Sequence, residues 1–152
     1  MSIDARLSEL NITLPDAPAP AANYVPYVRT GNLLFVSGQI AAGADGLIKG
    51  RLGHDRDTAA GAAAARACGL SLMAQARAAL GSLDRVARVV KLTGFVASTP
   101  DFTDQPEVIN GCSDLMVEVF GDRGRHARAA VSAPSLPRGV AVEIEAVFEI
   151  EG

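Results

Sequence analysis

The clearest pattern in the chain is an alternation of apolar and mostly acidic side chains near its end. The apolar positions are Val140, Val142, Ile144, Ala146, Phe148 and Ile150, and the positions between them include Glu143, Glu145, Val147 and Glu149. Successive side chains of a β-strand point to opposite faces of the sheet, so one face of this strand is apolar and the other is mostly acidic. The pattern predicts a sheet that packs against a core on one face.

The rest of the chain supplies further strands and three helices. The first predicted helix follows the cap Ser2 and ends near Asn11. The second covers residues 58–81 after the cap Asp57, and the third runs from Asp101 or Thr103 to about Phe120. The other predicted strands cover residues 24–29, 33–40, 86–97 and 127–133, with a short strand at 47–48 in a Gly-rich loop. This order predicts an α+β sandwich in which one sheet carries two long helices on one face. The many alanines of residues 58–81 predict that this helix lies very close to the sheet or to another helix.

The length of the chain and its net charge indicate how many domains it forms and which partners are unlikely. A chain of 152 residues is expected to form a single domain, with an N-terminal helix and Pro-rich connector at 1–23 and a core at 24–152. The net charge of −3 gives no general positive field, so nucleic acid is an unlikely partner.

The N-terminal residues mix charged and apolar side chains, unlike a secretory signal, and we expect a cytoplasmic protein. The most hydrophobic stretch, residues 59–83, is largely alanine and is interrupted by Arg66 and Arg77, so no membrane span is predicted. Cys68 and Cys112 fall within predicted helices and are interpreted as small buried hydrophobic residues.

Arg128 and Glu143 are the first candidates for chemistry. In a hairpin turning near Pro137, Arg128 would lie opposite the region of Glu143 to Glu145 and share a sheet face with it. On a solvated face the pair would be worth less than about 1 kcal/mol. In a walled pocket, the guanidinium would bind a substrate carboxylate and the glutamate would hold or activate a water. The spacing leaves both interpretations open.

Other signatures are missing or weak. His54 and His126 are isolated in the sequence and are interpreted as surface residues, so a metal site has little support and no cofactor is expected. Ser37 has no histidine or lysine nearby in the sequence, which favours a structural role at a strand end. The basic cluster of Arg123, Arg125, His126 and Arg128 could contact phosphate. It is short and lacks interleaved aromatic residues, which is more typical of a solvated loop.

Several short segments form a specific combination over residues 24–150. They are Pro-Tyr-Val at 26–28, Leu-Phe-Val-Ser-Gly-Gln-Ile at 34–40, Val-Lys-Leu-Thr-Gly-Phe-Val at 90–96, Asp-Phe at 101–102 leading to Val-Ile-Asn at 108–110, His-Ala-Arg at 126–128, Leu-Pro-Arg-Gly at 136–139 and Val-Glu-Ile-Glu-Ala at 142–146. In this order and spacing they resemble the RidA/YjgF family, also described as the L-PSP endoribonuclease-like or translation-inhibitor family.

The resemblance implies a chorismate-mutase-like fold with a mostly antiparallel sheet, and a homotrimer with three clefts between neighbouring subunits. It implies that Arg128 binds the carboxylate of a small substrate and that Glu143 positions the attacking water. The residues implied to line the same cleft are Tyr27, Ser37, Gly38 and Asn110. The implied reaction is hydrolysis of 2-enamine or 2-imine acids, of the 2-iminobutanoate and 2-iminopropanoate type, to 2-oxo acids and ammonia without a cofactor.

Two features depart from the well-studied deaminases of the family. Ala130 stands where they carry a cysteine, and the N-terminal helix and connector resemble a longer-chain subgroup. One alternative is therefore a non-catalytic protein that binds a small carboxylate metabolite, which turnover would distinguish from an enzyme. An endoribonuclease or translation inhibitor is less favoured, because the chain is acidic and lacks a histidine pair for acid–base cleavage.

Overall fold

The computed structural model describes residues 1–20 and 22–151; the predicted connector and domain end also include residues 21 and 152, which lie outside this range. The helices are α1 (Ile3–Glu9), α2 (Thr58–Leu80) and α3 (Gln105–Phe120). The strands are β1 (Tyr27–Thr30), β2 (Leu33–Ile40), β3 (Ala42–Gly43), β4 (Gly46–Leu47), β5 (Val86–Ala97), β6 (Ala127–Ala133) and β7 (Val142–Ile150). The order of helices and strands agrees with the order predicted from the sequence.

The helix ends follow from local capping. Ser2 Oγ accepts a hydrogen bond from the Ala5 amide at 3.1 Å, and Asp57 accepts one from the Ala60 amide at 2.8 Å. Each bond satisfies a donor that the first turn leaves without a helical partner, which confirms both predicted N-caps. Gly81, with a φ of 83°, ends α2 in a conformation that glycine adopts without steric cost.

Three elements start later than predicted. α3 begins at Gln105, because the amide of Phe102 bonds to the Thr99 carbonyl in a separate turn ahead of it. β7 begins two residues late, because Val140 forms only an isolated bridge with the loop before α2. β1 follows Pro26, which has no amide hydrogen to contribute to the sheet.

The main sheet has the strand order β1-β2-β7-β5-β6. β6 runs parallel to β5, and the other neighbouring strands are antiparallel. The predicted hairpin of β6 with β7 is therefore wrong, because β5 lies between them. The reason is α3, which connects β5 to β6 as the crossover that a parallel pair needs and leaves the other edge of β5 to β7.

The long helices α2 and α3 pack on one face of this sheet. The inward side chains of β7 are buried as the alternation predicted, and they are Val142, Ile144, Ala146, Phe148 and Ile150. None of the helices α1, α2 and α3 packs on the other face, which we call the open face. It bears apolar side chains that solvent reaches: Val28, Phe35 and Val131 are between 44% and 52% exposed. Among the described helices, none combines the length and hydrophobicity that crossing a membrane requires.

The small residues of α2 allow a close contact with α3. A Cβ atom built on Gly111 of α3 would overlap the carbonyl oxygen of Ala62 in α2. Two turns after Ala62 in α2, Gly69 lies against Cys112 and Leu115 with similarly little space for a side chain. The prediction that the alanine-rich helix approaches another element closely is confirmed.

The substitution Gly111→Ala tests this contact, because close packing predicts a loss of stability where an isolated helix would gain stability. In an unconstrained helix interior, alanine stabilises by roughly 1 kcal/mol relative to glycine. Here the added methyl group meets backbone that cannot move without separating the helices, so we expect a loss of about 1–3 kcal/mol in the free energy of unfolding. Urea denaturation measures it, with Glu107→Ala on the exposed side of α3 as control. A stabilised Gly111→Ala protein would contradict the packing described.

Candidate functional site

The candidate functional side chains form two groups. The first, which we call the glutamate pocket, consists of Ser37, Gly38, Glu143 and Glu145 and lines a cavity of about 670 Å³. The second, the arginine cluster, consists of Asn110, Ser113, His126 and Arg128 and lines a shallower cavity at the edge of the sheet. Each group therefore lies in a concave region of the surface.

Glu143 projects from β7 on the open face beside an irregularity in β2. The register of β2 with β7 shifts between Val36 and Gln39, and this shift brings the backbone of Gly38 against the carboxylate. A Cβ atom built on Gly38 would lie 2.8 Å from Glu143 Oε2. Glycine is thus the residue that leaves this carboxylate in place.

Ser37 has a structural contact within the same pocket. Its hydroxyl donates a hydrogen bond to the carbonyl of Val25 at 2.8 Å, and its amide donates to the carbonyl of Pro26 at 2.9 Å. Both bonds hold the segment before β1 against β2. The structural interpretation of Ser37 agrees with these bonds, and Ser37 also lines the pocket.

Burial raises the pKa of the Glu143 carboxyl, and the negative charge of Glu145 raises it further. Both causes disfavour the ionised form. A carboxyl group with a raised pKa takes up and returns a proton more readily near neutral pH than an ordinary glutamate. The electrostatics of the pocket therefore suit a group that transfers protons.

The Pro-rich connector forms one wall of the glutamate pocket through Pro18, Ala19 and Pro20. The side chain of Gln75 in α2, which is 2% exposed, donates to the carbonyl of Pro18 at 2.6 Å and to Gln39 Oε1 at 3.4 Å. A buried amide with these partners attaches the connector to the core. The segment before the predicted core is therefore part of the site.

In the arginine cluster, groups on α3 orient the guanidinium of Arg128. Its Nη1 donates to Asn110 Oδ1 at 2.8 Å and to Ser113 Oγ at 3.1 Å, and its Nη2 donates to the Pro106 carbonyl at 3.3 Å. Among the described residues, nothing accepts from Nε. The Nε–H and the second Nη2–H share one edge of the planar group, and this edge matches the two oxygens of a carboxylate.

His126 lies next to Arg128 and is half-buried, so its predicted position on the surface is wrong. Its Nε2 is 2.8 Å from Ser113 Oγ, and its Nδ1 is 2.6 Å from the carbonyl oxygen of Gly124. Burial lowers the pKa of His126, the Gly124 hydrogen bond opposes this shift, and the charge of Arg128 adds to it. His54, in contrast, is exposed on the loop before α2.

Arg128 and Glu143 lie on opposite faces of the sheet within one chain. Arg128 pairs in register with Leu92 of β5, and Leu92 pairs with the buried Ala146 of β7. Side chains paired in register point to the same face of a sheet, so Arg128 points to the helix side. Glu143 lies three residues before Ala146 in β7 and points to the open face. Two strand spacings and three residues separate their Cα atoms by roughly 14 Å. The expectation of one shared face is therefore wrong.

The remaining candidates lie apart from both groups or are closed to solvent. Tyr27 packs partly buried against the core and lines neither cavity. Ala130 also packs against the core. Cys68 and Cys112 are fully buried, as predicted, and burial raises the pKa of the Cys112 thiol to about 12, so it stays protonated. Among residues 1–20 and 22–151, no group of three His, Cys, Asp or Glu side chains could hold a metal ion.

Sequence reasoning missed Ser113, and it considered His126 only as a surface residue and as part of a basic cluster. Ser113 follows Asn110 by three residues in a helix, and His126 precedes Arg128 by two residues at the start of a strand. Both spacings place side chains on a common face. These spacings were the available signal, but only the packing of α3 against β6 brings the two pairs together.

The raised pKa of Glu143 predicts a cost to stability at neutral pH. Above the ordinary glutamate value of 4.5, the unfolded chain releases this proton while the folded protein still holds it, so stability falls as the pH rises through this window. Glu143→Gln removes the titration. We expect the variant to melt above wild type at pH 7 and the difference to shrink towards pH 4, as measured by thermal denaturation at a fixed protein concentration. Equal melting temperatures at pH 7 would contradict the environment described.

Comparisons with known proteins agree with this fold. Residues 4–148 match the model of the family described as "YjgF/chorismate_mutase-like, putative endoribonuclease". Protein TCP17 of Trypanosoma cruzi is 52% identical over 150 residues, which cover 97% of this chain and 94% of the relative.

Two solved structures are similar. The protein Atu1372 of Agrobacterium tumefaciens, whose function is described as unknown, superposes with a TM-score of 0.91 at 49% identity, over 98% of this chain and 92% of its own. E. coli TdcF with bound serine superposes with a TM-score of 0.65 at 26% identity, over 90% of this chain and 94% of its own. The family match spans nearly the whole sequence and agrees with the resemblance found from its motifs. The chain belongs to the YjgF/chorismate mutase-like family, which includes the RidA/YjgF proteins.

Proposed function

We propose that this protein hydrolyses 2-imino acids, and their 2-enamine tautomers, to 2-oxo acids and ammonia. The reaction would take place in clefts of a homotrimer, where the glutamate pocket of one subunit meets the arginine cluster of its neighbour. The observation that carries the proposal is the free Nε edge of Arg128, held by three acceptors on α3 and suited to a carboxylate.

A carboxylate ligand is supported from two directions. A bidentate pair of guanidinium and carboxylate is among the stronger polar contacts available to a protein, and it fixes the orientation of the ligand. TdcF of E. coli was solved with bound serine, a small 2-amino acid that carries such a carboxylate. By similarity, we propose a 2-imino acid of comparable size as the substrate.

Assembly from two subunits is supported by the distribution of side chains within one. Arg128 and Glu143 point to opposite faces of the same sheet, so a single chain cannot direct both at one small molecule. The open face carries Val28, Phe35 and Val131, which a neighbouring subunit would remove from water. A cyclic arrangement joins different surfaces of neighbouring subunits, which allows one to supply Arg128 and the next to supply Glu143.

The proposed chemistry needs one water and one group that transfers protons. Arg128 holds the carboxylate, and Glu143 accepts a proton as the water oxygen attacks the C=N carbon. Glu143 returns this proton to the nitrogen, which gives a neutral carbinolamine. Glu143 then takes the proton of the new hydroxyl group and delivers it to the nitrogen as the C–N bond breaks, so ammonia leaves and the carbonyl of the 2-oxo acid forms. The carboxylate of Glu143 ends the cycle as it began.

A non-catalytic protein that binds a small carboxylate is the second candidate. Ala130 favours it, because an apolar methyl group stands where related deaminases carry a thiol. An endoribonuclease that cleaves by a pair of histidines has little support, since His54 is exposed and His126 is half-buried in the arginine cluster. Turnover distinguishes the enzyme from the binding protein.

The decisive assay measures ammonia release from 2-iminopropanoate and 2-iminobutanoate, generated in solution by an amino-acid oxidase. We expect the wild-type protein to accelerate release. Arg128→Ala should lower kcat/KM by about 100-fold, mainly through KM, because it removes two charge-assisted hydrogen bonds. Glu143→Gln should lower kcat by about 100-fold or more.

Arg66→Ala is a matched control, since it removes an arginine that lines neither cavity and whose partly exposed ion pair with Glu118 joins α2 to α3. We expect its activity to equal that of the wild type. Folded wild-type protein that gives no acceleration would refute the deaminase proposal, and full activity in Arg128→Ala would refute the role of the guanidinium.

A further inference from the structure

We propose that His126 and Ser113 are positioning residues for Arg128: the neutral imidazole of His126 orients the Ser113 hydroxyl, whose oxygen in turn holds the guanidinium. This inference deepens the proposed function and depends on it, because Arg128 is there the group that binds the substrate carboxylate. Neither residue touches the substrate in this arrangement, and both act through Arg128.

The hydrogen-bond partners determine where the proton of His126 lies. Its Nδ1 is 2.6 Å from the carbonyl oxygen of Gly124, which can only accept, so Nδ1 carries the hydrogen. In the neutral ring Nε2 is then an acceptor, and the Ser113 hydroxyl, 2.8 Å away, must donate to it. The lone pairs of Ser113 Oγ are thereby directed elsewhere, and Arg128 Nη1 donates to this oxygen at 3.1 Å. The bonds form one directed chain from Arg128 through Ser113 to His126.

This chain of hydrogen bonds helps to determine which edge of the Arg128 guanidinium remains available to a ligand. Ser113 and Asn110 occupy Nη1, and the Pro106 carbonyl takes one hydrogen of Nη2. The remaining donors, Nε–H and the second Nη2–H, have no acceptor among the described residues. Without the Ser113 contact, the guanidinium of Arg128 would be held by one acceptor fewer and would rotate more freely. Binding of a carboxylate would then have to order the guanidinium, and this entropic cost would weaken binding.

Protonation of His126 would reverse the hydrogen bond between Ser113 and His126. Nε2 would become a donor, and Ser113 Oγ would then receive hydrogen bonds from two cationic groups while its own hydrogen turned away. The other charged groups in this cavity are Asp114 on α3 and Arg125 ahead of β6, and both are exposed. Burial and the nearby charge of Arg128 keep the pKa of His126 below its ordinary value, which favours the neutral ring at pH 7.

We call the chain of hydrogen bonds from Arg128 through Ser113 to His126 the relay. Binding of 2-oxobutanoate, measured by calorimetry between pH 5 and 8, tests the relay separately from turnover. The measurement uses the full chain with Glu143→Gln as background, so that this carboxyl does not titrate. We expect Kd to rise about 10-fold as the pH falls to 5 and to stay flat with pH when His126→Gln is added. With Ser113→Ala we expect Kd to be about 10-fold higher at pH 8 and to stay flat with pH, because His126 then has no contact through which to act on Arg128. Ser113→Thr, which keeps the hydroxyl, should restore binding. Wild-type affinity in Ser113→Ala, or an acid limb that persists with His126→Gln, would overturn the inference.

A spectroscopic readout separates failure of the relay from failure of the proposed function. The chain has two histidines, so the NMR signals of the His126 ring can be assigned by comparison with His54→Gln. We expect a neutral ring protonated at Nδ1, and a pKa that rises in Arg128→Ala, because a nearby positive charge is removed. If the ring behaves in this way but wild type neither binds 2-oxobutanoate nor releases ammonia, the proposed function fails and the relay stands. A ring protonated at Nε2, or a pKa unaffected by Arg128→Ala, would overturn the relay alone.

Discussion

The pairing of β5 with β6 on one side and β7 on the other determines where the functional side chains lie. Because α3 returns the chain to pair β6 in parallel with β5, Arg128 falls on the outermost strand, on the side where α3 packs. The antiparallel β7 takes the opposite edge of β5 and directs Glu143 to the open face. One guanidinium and one carboxylate that suit the same chemistry are thereby kept apart within each chain.

The two groups are prepared differently for their proposed tasks. Arg128 depends on hydrogen bonds, because acceptors on α3 and the orientation of Ser113 by His126 hold its planar group. Glu143 depends on its surroundings, since burial and the charge of Glu145 raise its pKa. The connector adds an apolar wall beside Glu143. On this account the subunit carries two prepared half-sites, and assembly completes them.

Much of the fold could be predicted from local sequence patterns. The alternation in β7 identified its buried face, Ser2 and Asp57 were predicted as caps, and the alanines of α2 indicated a close contact. Strand order was not predictable in the same way, because a period of two residues identifies the face of a strand but not its neighbours. Because strand order could not be predicted, β6 was wrongly paired with β7, and Arg128 and Glu143 were wrongly placed on one face. The half-burial of His126 likewise depends on how α3 packs against β6.

The central claim, that each site takes Arg128 from one subunit and Glu143 from the next, is tested most directly by mixing two inactive variants. Arg128→Ala and Glu143→Gln subunits are co-expressed with different tags, the mixed oligomers are isolated, and ammonia release is measured. In each mixed trimer, whether of 2:1 or 1:2 composition, one of the three shared sites contains both native side chains, so we predict about a third of the wild-type activity. Mixed oligomers that remain as inactive as either parent would show that both residues must come from the same chain, and would contradict the account.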